Sequence, residues 1–438
     1  MKVLKFGGTS VGSAVRFKEV AKIITQAGKN VVVLSAMSGT TNTLSEIAGY
    51  LYNRNLEGAR DTISTLEKKY LAVAKELFSQ KESQEKATEY IRDTFAGLVA
   101  ITRELFGDVQ ERIVLAQGEL LSSFLLATYL QEQGVDVQLL PALEFMRTDP
   151  QGEPDAHAIQ EGLKRQLESA PEADLYLTQG YICMNARDEV DNLKRGGSDY
   201  TACLIGAALQ ADEIQIWTDI DGLHNNDPRI VDGTRPVRHL HFEEAAELAY
   251  FGAKILHPTC ILPARYANVP VRLLNTMEPD APGTLIDNVS DSGEIKAVAA
   301  KDSIVALKIK SSRMLLAHGF LRKVFEIFES YRTSIDMICT SEVGVSLTID
   351  DTRYLNEIVH DLKKYGTVSV DLDMCIICVV GDMDWSNRGF ESRVMNALKS
   401  IPVRMVSYGG SNYNISILVR EEDKAETLKA LSRKLFGE

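Results

Sequence analysis

The sequence predicts an α/β protein built on a mostly parallel sheet, followed by a tail of two α+β units. Two observations carry this expectation. Up to about residue 290, short β-branched runs alternate with helical patterns, the rhythm of strands joined by crossover helices. From about residue 293 the units shorten and the chain repeats itself. Gly319-Phe320-Leu321-Arg322-Lys323-Val324 matches Gly389-Phe390-Glu391-Ser392-Arg393-Val394, and Val345-Ser346-Leu347 matches Ile415-Ser416-Ile417, both at an offset of 70.

The expected strands are Lys2–Phe6, Asn30–Ser35, Val135–Leu140, Leu175–Ile182, Glu213–Trp217 and Pro270–Leu274, with helices covering both faces of their sheet. Between the second and third lies an insertion, Leu56 to about Gly107, rich in Glu, Lys and Arg at helical spacing. It reads as solvated helices, a peripheral subdomain without chemistry. In the tail each copy reads strand, helix, strand, strand, helix, with a final strand shared or supplied from the flanks, a ferredoxin-like pattern. Two such sheets side by side leave a groove rimmed by loops, the usual place for a small ligand.

A chain of 438 residues with 45% hydrophobic side chains exceeds one ordinary core, so two or three domains are expected. The formal charge of −13 argues against nucleic acid, whose phosphates need a basic face. Small molecules are the expected partners. If these are anionic, the site concentrates its cations locally, and Lys5, Arg195, Arg229 and Lys254 are the candidates. The six cysteines are scattered among apolar residues, and the one close pair, Cys375 and Cys378, points to opposite faces of a strand, as small core residues do. There is no opening apolar stretch of secretory type and no later run of about 18 uncharged apolar residues. No membrane partner is expected, and a reducing cytoplasm fits.

Three glycine turns carry the chemistry. In Lys5-Phe6-Gly7-Gly8-Thr9-Ser10-Val11-Gly12-Ser13 a strand leads through paired glycines into a helix, so amides and hydroxyls can surround a phosphate. Ser13 stands where a P-loop needs lysine, and a tight βα turn with a solvated Lys5 is the alternative. Ser35-Ala36-Met37-Ser38-Gly39-Thr40-Thr41-Asn42 is a second hydroxyl-rich turn at a strand end, where open α/β sheets bind ligands; an ordinary capped turn is its alternative. Arg195-Gly196-Gly197-Ser198-Asp199 adds a guanidinium suited to a carboxylate and an acid suited to orienting cations or metal; a plain helix start is the other reading. Glu119 opens an otherwise apolar helical stretch, either as a solvated residue or as a partner for an ammonium. Trp217-Thr218-Asp219 leads into a turn-forming loop ending at Arg229, and Lys254 follows a helix; both cations either meet phosphates or are solvated.

In their order along the chain, KFGGTSV, SAMSGTTN, QGELLS, RGGSDYTA, WTDIDG…DPR and FGAKILHP resemble the aspartate kinases of the amino-acid kinase superfamily, over nearly the whole length. The resemblance implies a three-layer αβα amino-acid kinase fold over residues 1–292, followed by two ferredoxin-like regulatory domains of the ACT type. The first ACT domain is expected at 309–372. It is inserted in the second, which comprises 293–308 and 373–438.

The resemblance also implies roles. Lys5, with the amides of Gly7 and Gly8 and the hydroxyl of Ser10, stabilises the transferring phosphoryl group, while Asp199 organises the lysines and Mg²⁺, with no direct protein ligands to the metal. Thr41, Glu119, Arg195 and Ser198 hold L-aspartate, Glu119 on its ammonium and Arg195 on its α-carboxylate. Thr218, Asp219, His224, Arg229, Lys254 and Ile255 join Lys5 and Gly8 around ATP. No general base is needed, because a carboxylate is already an anionic nucleophile. Met314, Gly319, Phe320, Ser334, Asp336, Ser341 and Glu342 form the effector site, where two acids suit the diamine lysine. Threonine is the alternative effector. A homo-oligomer is implied, at least a dimer through the ACT domains; fusion to homoserine dehydrogenase is not expected. His224 stands where the family usually has Tyr, and Cys183-Met184 where it usually continues with Gly, so the loop toward Arg195 is expected to take another path. Another kinase of the fold, acting on acetylglutamate, glutamate or a nucleoside monophosphate, and a silent ACT-type amino-acid sensor are the rival readings.

Overall fold

The structure, a computed structural model, describes residues 1–193, 196–252, 257–291, 293–311 and 318–437. The chain forms two compact units, Met1–Leu223 with Leu256–Asn288, and His224–Ile255 with Val289–Glu438. In chain order unit 1 begins with β1 (Lys2–Phe6), α1 (Ala14–Gln26), β2 (Asn30–Leu34), α2 (Thr40–Tyr52), α3 (Leu56–Leu77), α4 (Lys81–Ile101) and α5 (Asp108–Glu132). There follow β3 (Val137–Leu140), α6 (Ala142–Phe145), α7 (Ala156–Ser169), β4 (Leu175–Gln179), β5 (Ile182–Met184), β6 (Val190–Asn192), α8 (Gly197–Leu209) and β7 (Ile214–Thr218). Then β8 (His239–His241) and α9 (Phe242–Tyr250) belong to unit 2, and α10 (Leu262–Tyr266), β9 (Val271–Asn275) and β10 (Thr284–Asp287) return to unit 1.

The unit 1 sheet runs β3-β4-β2-β1-β7-β9-β10. Its pairings are parallel except β9 with β10. Central β2, Asn-Val-Val-Val-Leu, is buried at every residue, as a strand covered on both faces must be. The strand expected over Leu175–Ile182 is two. It breaks at Gly180, whose amide donates to the Leu34 carbonyl, and Tyr181 turns the chain with φ +68°. Ile182–Met184 then pairs antiparallel with Val190–Asn192. This hairpin holds Cys183, whose thiol burial pushes up to about 12, in the approach to Arg195.

The helical insertion is not peripheral. Ile63, Leu66 and Tyr70 of α3 and Ile91 and Phe95 of α4 share one core with Leu4, Phe6, Val32 and Leu34 of the sheet. The charged residues that suggested a solvated subdomain occupy the outer faces, and the inner stripes bury. Among the described residues α5 alone has the length and apolarity of a membrane span. Thirteen of its residues are buried inside the protein.

In unit 2 the remaining elements are β11 (Ile295–Lys310), α11 (Phe320–Ser330), β12 (Ile338–Ser341), β13 (Gly344–Ile349), α12 (Leu355–Leu362), β14 (Thr367–Gly381), α13 (Phe390–Ala397), β15 (Met405–Ser407), β16 (Asn414–Arg420) and α14 (Lys424–Leu435). They form one antiparallel sheet, β12-β13-β11-β14-β16-β15, with two cores. The offset of 70 is visible in the backbone, since Gly319 and Gly389 open α11 and α13 with φ of +82° and +90°.

Both long strands are divided between the copies. Ile295 and Val298 join Cys375, Ile377, Leu428 and Leu431 in one core, whereas Val305, Leu307 and Ile309 join Phe320, Val324 and Leu347 in the other. The register shifts between Lys301 and Ala306 mark the changeover. The border expected at 308/309 therefore lies too late, because Val305 and Leu307 already belong to the first copy. The expected span 1–292 also divides differently. Residues 224–255 pack with the tail, through Val231 in the second core, the Asn226 amide on the Leu428 carbonyl at 3.1 Å, and the Val298 amide on the Asn225 carbonyl at 2.8 Å.

Candidate active site

Two turns that leave the carboxyl ends of the neighbouring strands β1 and β2, and a third that leads from the β5–β6 hairpin into α8, wall one cleft of about 760 Å³. The first leaves β1. Lys5 is 9% exposed, and its ammonium lies 2.6 Å from an Asp199 carboxylate oxygen, close but off-line for a hydrogen bond. A side chain at Gly8 would put its β-carbon 2.9 Å from the Ala36 carbonyl, and the Gly8 carbonyl accepts from the Ser38 amide at 3.1 Å. The first two turns thus touch backbone to backbone. Gly8→Ala is expected to overpack this backbone contact by about 1–3 kcal/mol, so that the thermal midpoint falls by a few degrees and kcat/KM falls by about ten- to a hundredfold. Steady-state kinetics beside a melting curve check this.

The second turn leaves β2 and is pinned by α5. Ser122 donates to the Ser35 carbonyl at 2.8 Å, and the Ala36 amide donates to Glu119 Oε1 at 3.2 Å. A β-carbon on Gly118 would sit 2.6 Å from that of Ala36, so this glycine lets α5 approach. Glu119 is 3% exposed, and its Oε2 is buried without a hydrogen-bond partner. Burial pushes its carboxyl up to about 8. Desolvation thus biases Glu119 toward its protonated form near neutral pH.

The third turn precedes α8. Gly196 caps the helix with φ +76°, Gly197 and Ser198 follow, and Asp199 lies in the first turn, where helix amides favour a carboxylate. Gly180 again permits a close approach, since a β-carbon there would meet Ser198 at 2.6 Å.

Of the residues singled out by sequence, Lys5, Gly8, Thr41, Glu119, Ser198 and Asp199 line this one cleft. Gly7 and Ser10 do not. The Gly7 amide donates to the Trp217 carbonyl at 3.3 Å, and the Ser10 hydroxyl is buried against that of Thr276 at 2.7 Å. Both contacts brace the turn. Thr218 ends β7, next to β1, and Asp219 follows it, with the Thr218 hydroxyl donating to the Asp219 carboxylate at 3.1 Å. Arg195, Lys254, Ile255 and Met314 lie outside the described residues. In unit 2, His224 shares a hydrogen bond with Thr234 at 3.0 Å, and the exposed Arg229 guanidinium makes a two-point pair with Asp227 at 2.9 and 2.7 Å.

At the expected effector site Gly319 caps α11, Phe320 sits in the first core, Ser334 is exposed, and Ser341 and Glu342 lie exposed at the β12–β13 turn. Asp336 is not a free acid. Its side chain is 1% exposed, it pairs with Lys301 at 2.8 Å, and it accepts from the Tyr250 hydroxyl at 2.8 Å. Lys301 also reaches Asp350 at 2.9 Å and lies 4.5 Å from the Tyr250 ring centre.

Sequence reasoning missed Tyr181, a cleft residue held at φ +68°, and the braces Gly118, Ser122 and Gly180. The spacing gives no signal for any of them, because each acts by contact with a distant segment.

The amino acid kinase family matches residues 1–275, and an ACT domain matches 377–435. Aspartokinase 3 of Arabidopsis thaliana chloroplasts is 36% identical, over 99% of this chain and 81% of that protein. The lysine-sensitive aspartokinase 3 of Escherichia coli is 33% identical, over 99% of both. The chain belongs to the aspartokinases. Among solved structures, that of E. coli aspartokinase III with aspartate and ADP superposes with a TM-score of 0.81 at 31% identity, covering both chains fully. That of Clostridium acetobutylicum aspartate kinase gives 0.87 at 25% identity, over 99% of this chain and all of that one. The same E. coli enzyme has been solved with lysine and aspartate, at a TM-score of 0.79 and 31% identity. As an aspartokinase the chain is a kinase with tandem ACT units, and the catalytically silent sensor finds no support.

Proposed function

We propose that this aspartate kinase transfers the γ-phosphoryl group of ATP to the side-chain carboxylate of L-aspartate in the unit 1 cleft, and that lysine inhibits it through the first ACT copy. One observation carries the catalytic part: the buried Lys5–Asp199 pair and the unpartnered Glu119 oxygen line the same cleft. Two anions must meet there, an aspartate carboxylate and a phosphoryl group, and the reaction needs positioning and positive charge more than proton transfer.

Glu119 ionises as it takes the substrate ammonium, which fixes that end of aspartate. Thr41, Ser198 and Arg195 hold the remainder, so that the side-chain carboxylate points at the phosphoryl group. Lys5 stays on the transferring group, held in place by Asp199, and neutralises charge as it migrates toward the bridging oxygen to ADP. The Gly8 amide, in a turn closed against the Ala36 carbonyl, lies along the phosphate path. Mg²⁺ bound with ATP would have Asp199 as its nearby protein carboxylate and would supply charge neutralisation. Thr218 and Asp219, beside β1, attend the nucleotide.

Lysine as effector rests on Asp336 and Glu342 and on the E. coli enzyme solved with lysine. Because Asp336 already holds Lys301, an entering diamine competes with that internal ammonium for the same carboxylate. We further propose a homodimer through the ACT units and a place in the cytoplasm. The test is aspartyl-hydroxamate formation from aspartate, ATP and Mg²⁺, with lysine or threonine added. Activity is expected with aspartate and not with glutamate or acetylglutamate, and it should fall with lysine. Calorimetric heat with threonine and none with lysine would overturn the effector assignment.

A further inference from the structure

A reaction that joins two anions needs a cation at the acceptor end of the cleft as well as at the donor end. Lys5 is offset by Asp199 at 2.6 Å, and Glu119 is a second acid. Against the cleft wall stands one cation that the sequence had placed in a peripheral insertion. Lys69 of α3 is exposed, and its ammonium donates to the Ser38 carbonyl at 2.8 Å. A β-carbon added at Gly39 would lie 3.9 Å from it. Ser38 and Gly39 both line the cleft. No carboxylate pairs with Lys69 among the described residues, so its charge rests on a neutral acceptor.

Its place is fixed by its neighbour. Tyr70 is fully buried, its hydroxyl lies 3.0 Å from that of Thr40, and its ring packs on Phe95 with centroids 6.0 Å apart. The register of α3 is thereby set at the very turn that starts α2, and residue 69 is delivered to the Ser38 carbonyl behind the residues that line the cleft. α2 itself opens with no side-chain cap on Gly39, and the amides of Thr41 and Asn42 have no carbonyl within the helix to reach. Amide donors and an unneutralised ammonium therefore converge on the second turn.

We propose that Lys69 is a substrate-binding cation of this kinase. On aspartate binding its ammonium leaves the Ser38 carbonyl for a carboxylate oxygen of the acceptor at the start of α2. The exchange replaces a neutral hydrogen bond by a charge-assisted one and adds positive charge where the carboxylate faces the phosphoryl donor. The inference rests on the reading of this cleft as the aspartate site.

Three variants test it. Lys69→Met removes donor and charge, Lys69→Gln keeps a donor for Ser38 without charge, and Lys69→Arg keeps both. Met and Gln are each expected to raise KM for aspartate about tenfold, the scale of one hydrogen bond to a charged group, with KM for ATP within about twofold and the thermal midpoint unchanged. Arg should restore most of the affinity, and the salt dependence of kcat/KM should weaken in Met and Gln. A Gln variant indistinguishable from the parent would overturn the proposal, leaving Lys69 a structural brace. A rise in KM for ATP instead of aspartate would overturn it too. If the parent enzyme itself makes no aspartyl phosphate, the reading of the cleft fails, and that outcome is separate from either of these.

Discussion

Lys5→Met is expected to lower kcat by about a hundred- to a thousandfold, the usual loss when one preorganised stabiliser of transition-state charge is removed. The substitution keeps the length of the side chain on β1 and deletes only the ammonium that lies 2.6 Å from Asp199. KM for aspartate should change little, since Lys5 acts on the migrating phosphoryl charge. Removing the cation leaves Asp199 only slightly exposed and without its partner, so some stability is lost as well. Lys5→Arg separates the two effects: it retains the charge and the fold but misplaces the donor, and kcat should still fall well below that of the parent. Single-turnover phosphoryl transfer by Lys5→Met at the parent rate would remove Lys5 from the mechanism.

Glu119→Gln is expected to raise KM for aspartate by about ten- to a hundredfold, because it deletes a buried charge partner of the substrate ammonium. It should also abolish a pH dependence. In the parent, burial raises the Glu119 carboxyl to about 8, so aspartate must drive off a proton to bind at neutral pH. KM for aspartate should therefore fall as pH rises toward 8 and level off above it, while the Gln variant stays flat. Stability runs the other way. The raised carboxyl binds its proton more tightly folded than unfolded, so the fold is favoured below the unfolded value of 4.5 and loses that advantage as pH climbs to about 8. Glu119→Gln should match the parent near pH 4.5 and melt higher at pH 8 to 9. Equal melting at both ends would mean that Glu119 titrates normally.

Much of this was legible along the chain. The alternation of Lys2–Phe6, Asn30–Leu34 and Ile214–Thr218 with helical segments gave a parallel sheet, because strands buried on both faces have an unmistakable composition. The glycine turns after β1 and β2 and before α8 were legible because only glycine closes them, as Gly8 against Ala36 and Gly196 at φ +76° illustrate. Less legible was what a side chain does once its turn is built. The Ser10 hydroxyl meets that of Thr276, 266 residues away, a contact no local pattern announces; Asp336 looked like a free acid and is held by Lys301 and Tyr250.

By itself, the sequence determined the α/β class, the duplicated tail with its offset of 70, the kinase family, and the turns that gather Lys5, Glu119 and Asp199. Those features depend on local composition and backbone geometry, which neighbouring residues encode. Tertiary structure alone decided that the charged insertion shares the main core and brings Lys69 to the turn at Ser38. It also decided that β11 passes from one ACT core to the other within a single strand, and that Glu119 is held dry enough to raise its carboxyl to about 8. Burial and pairing are sums over segments far apart in the chain, and no local pattern records them.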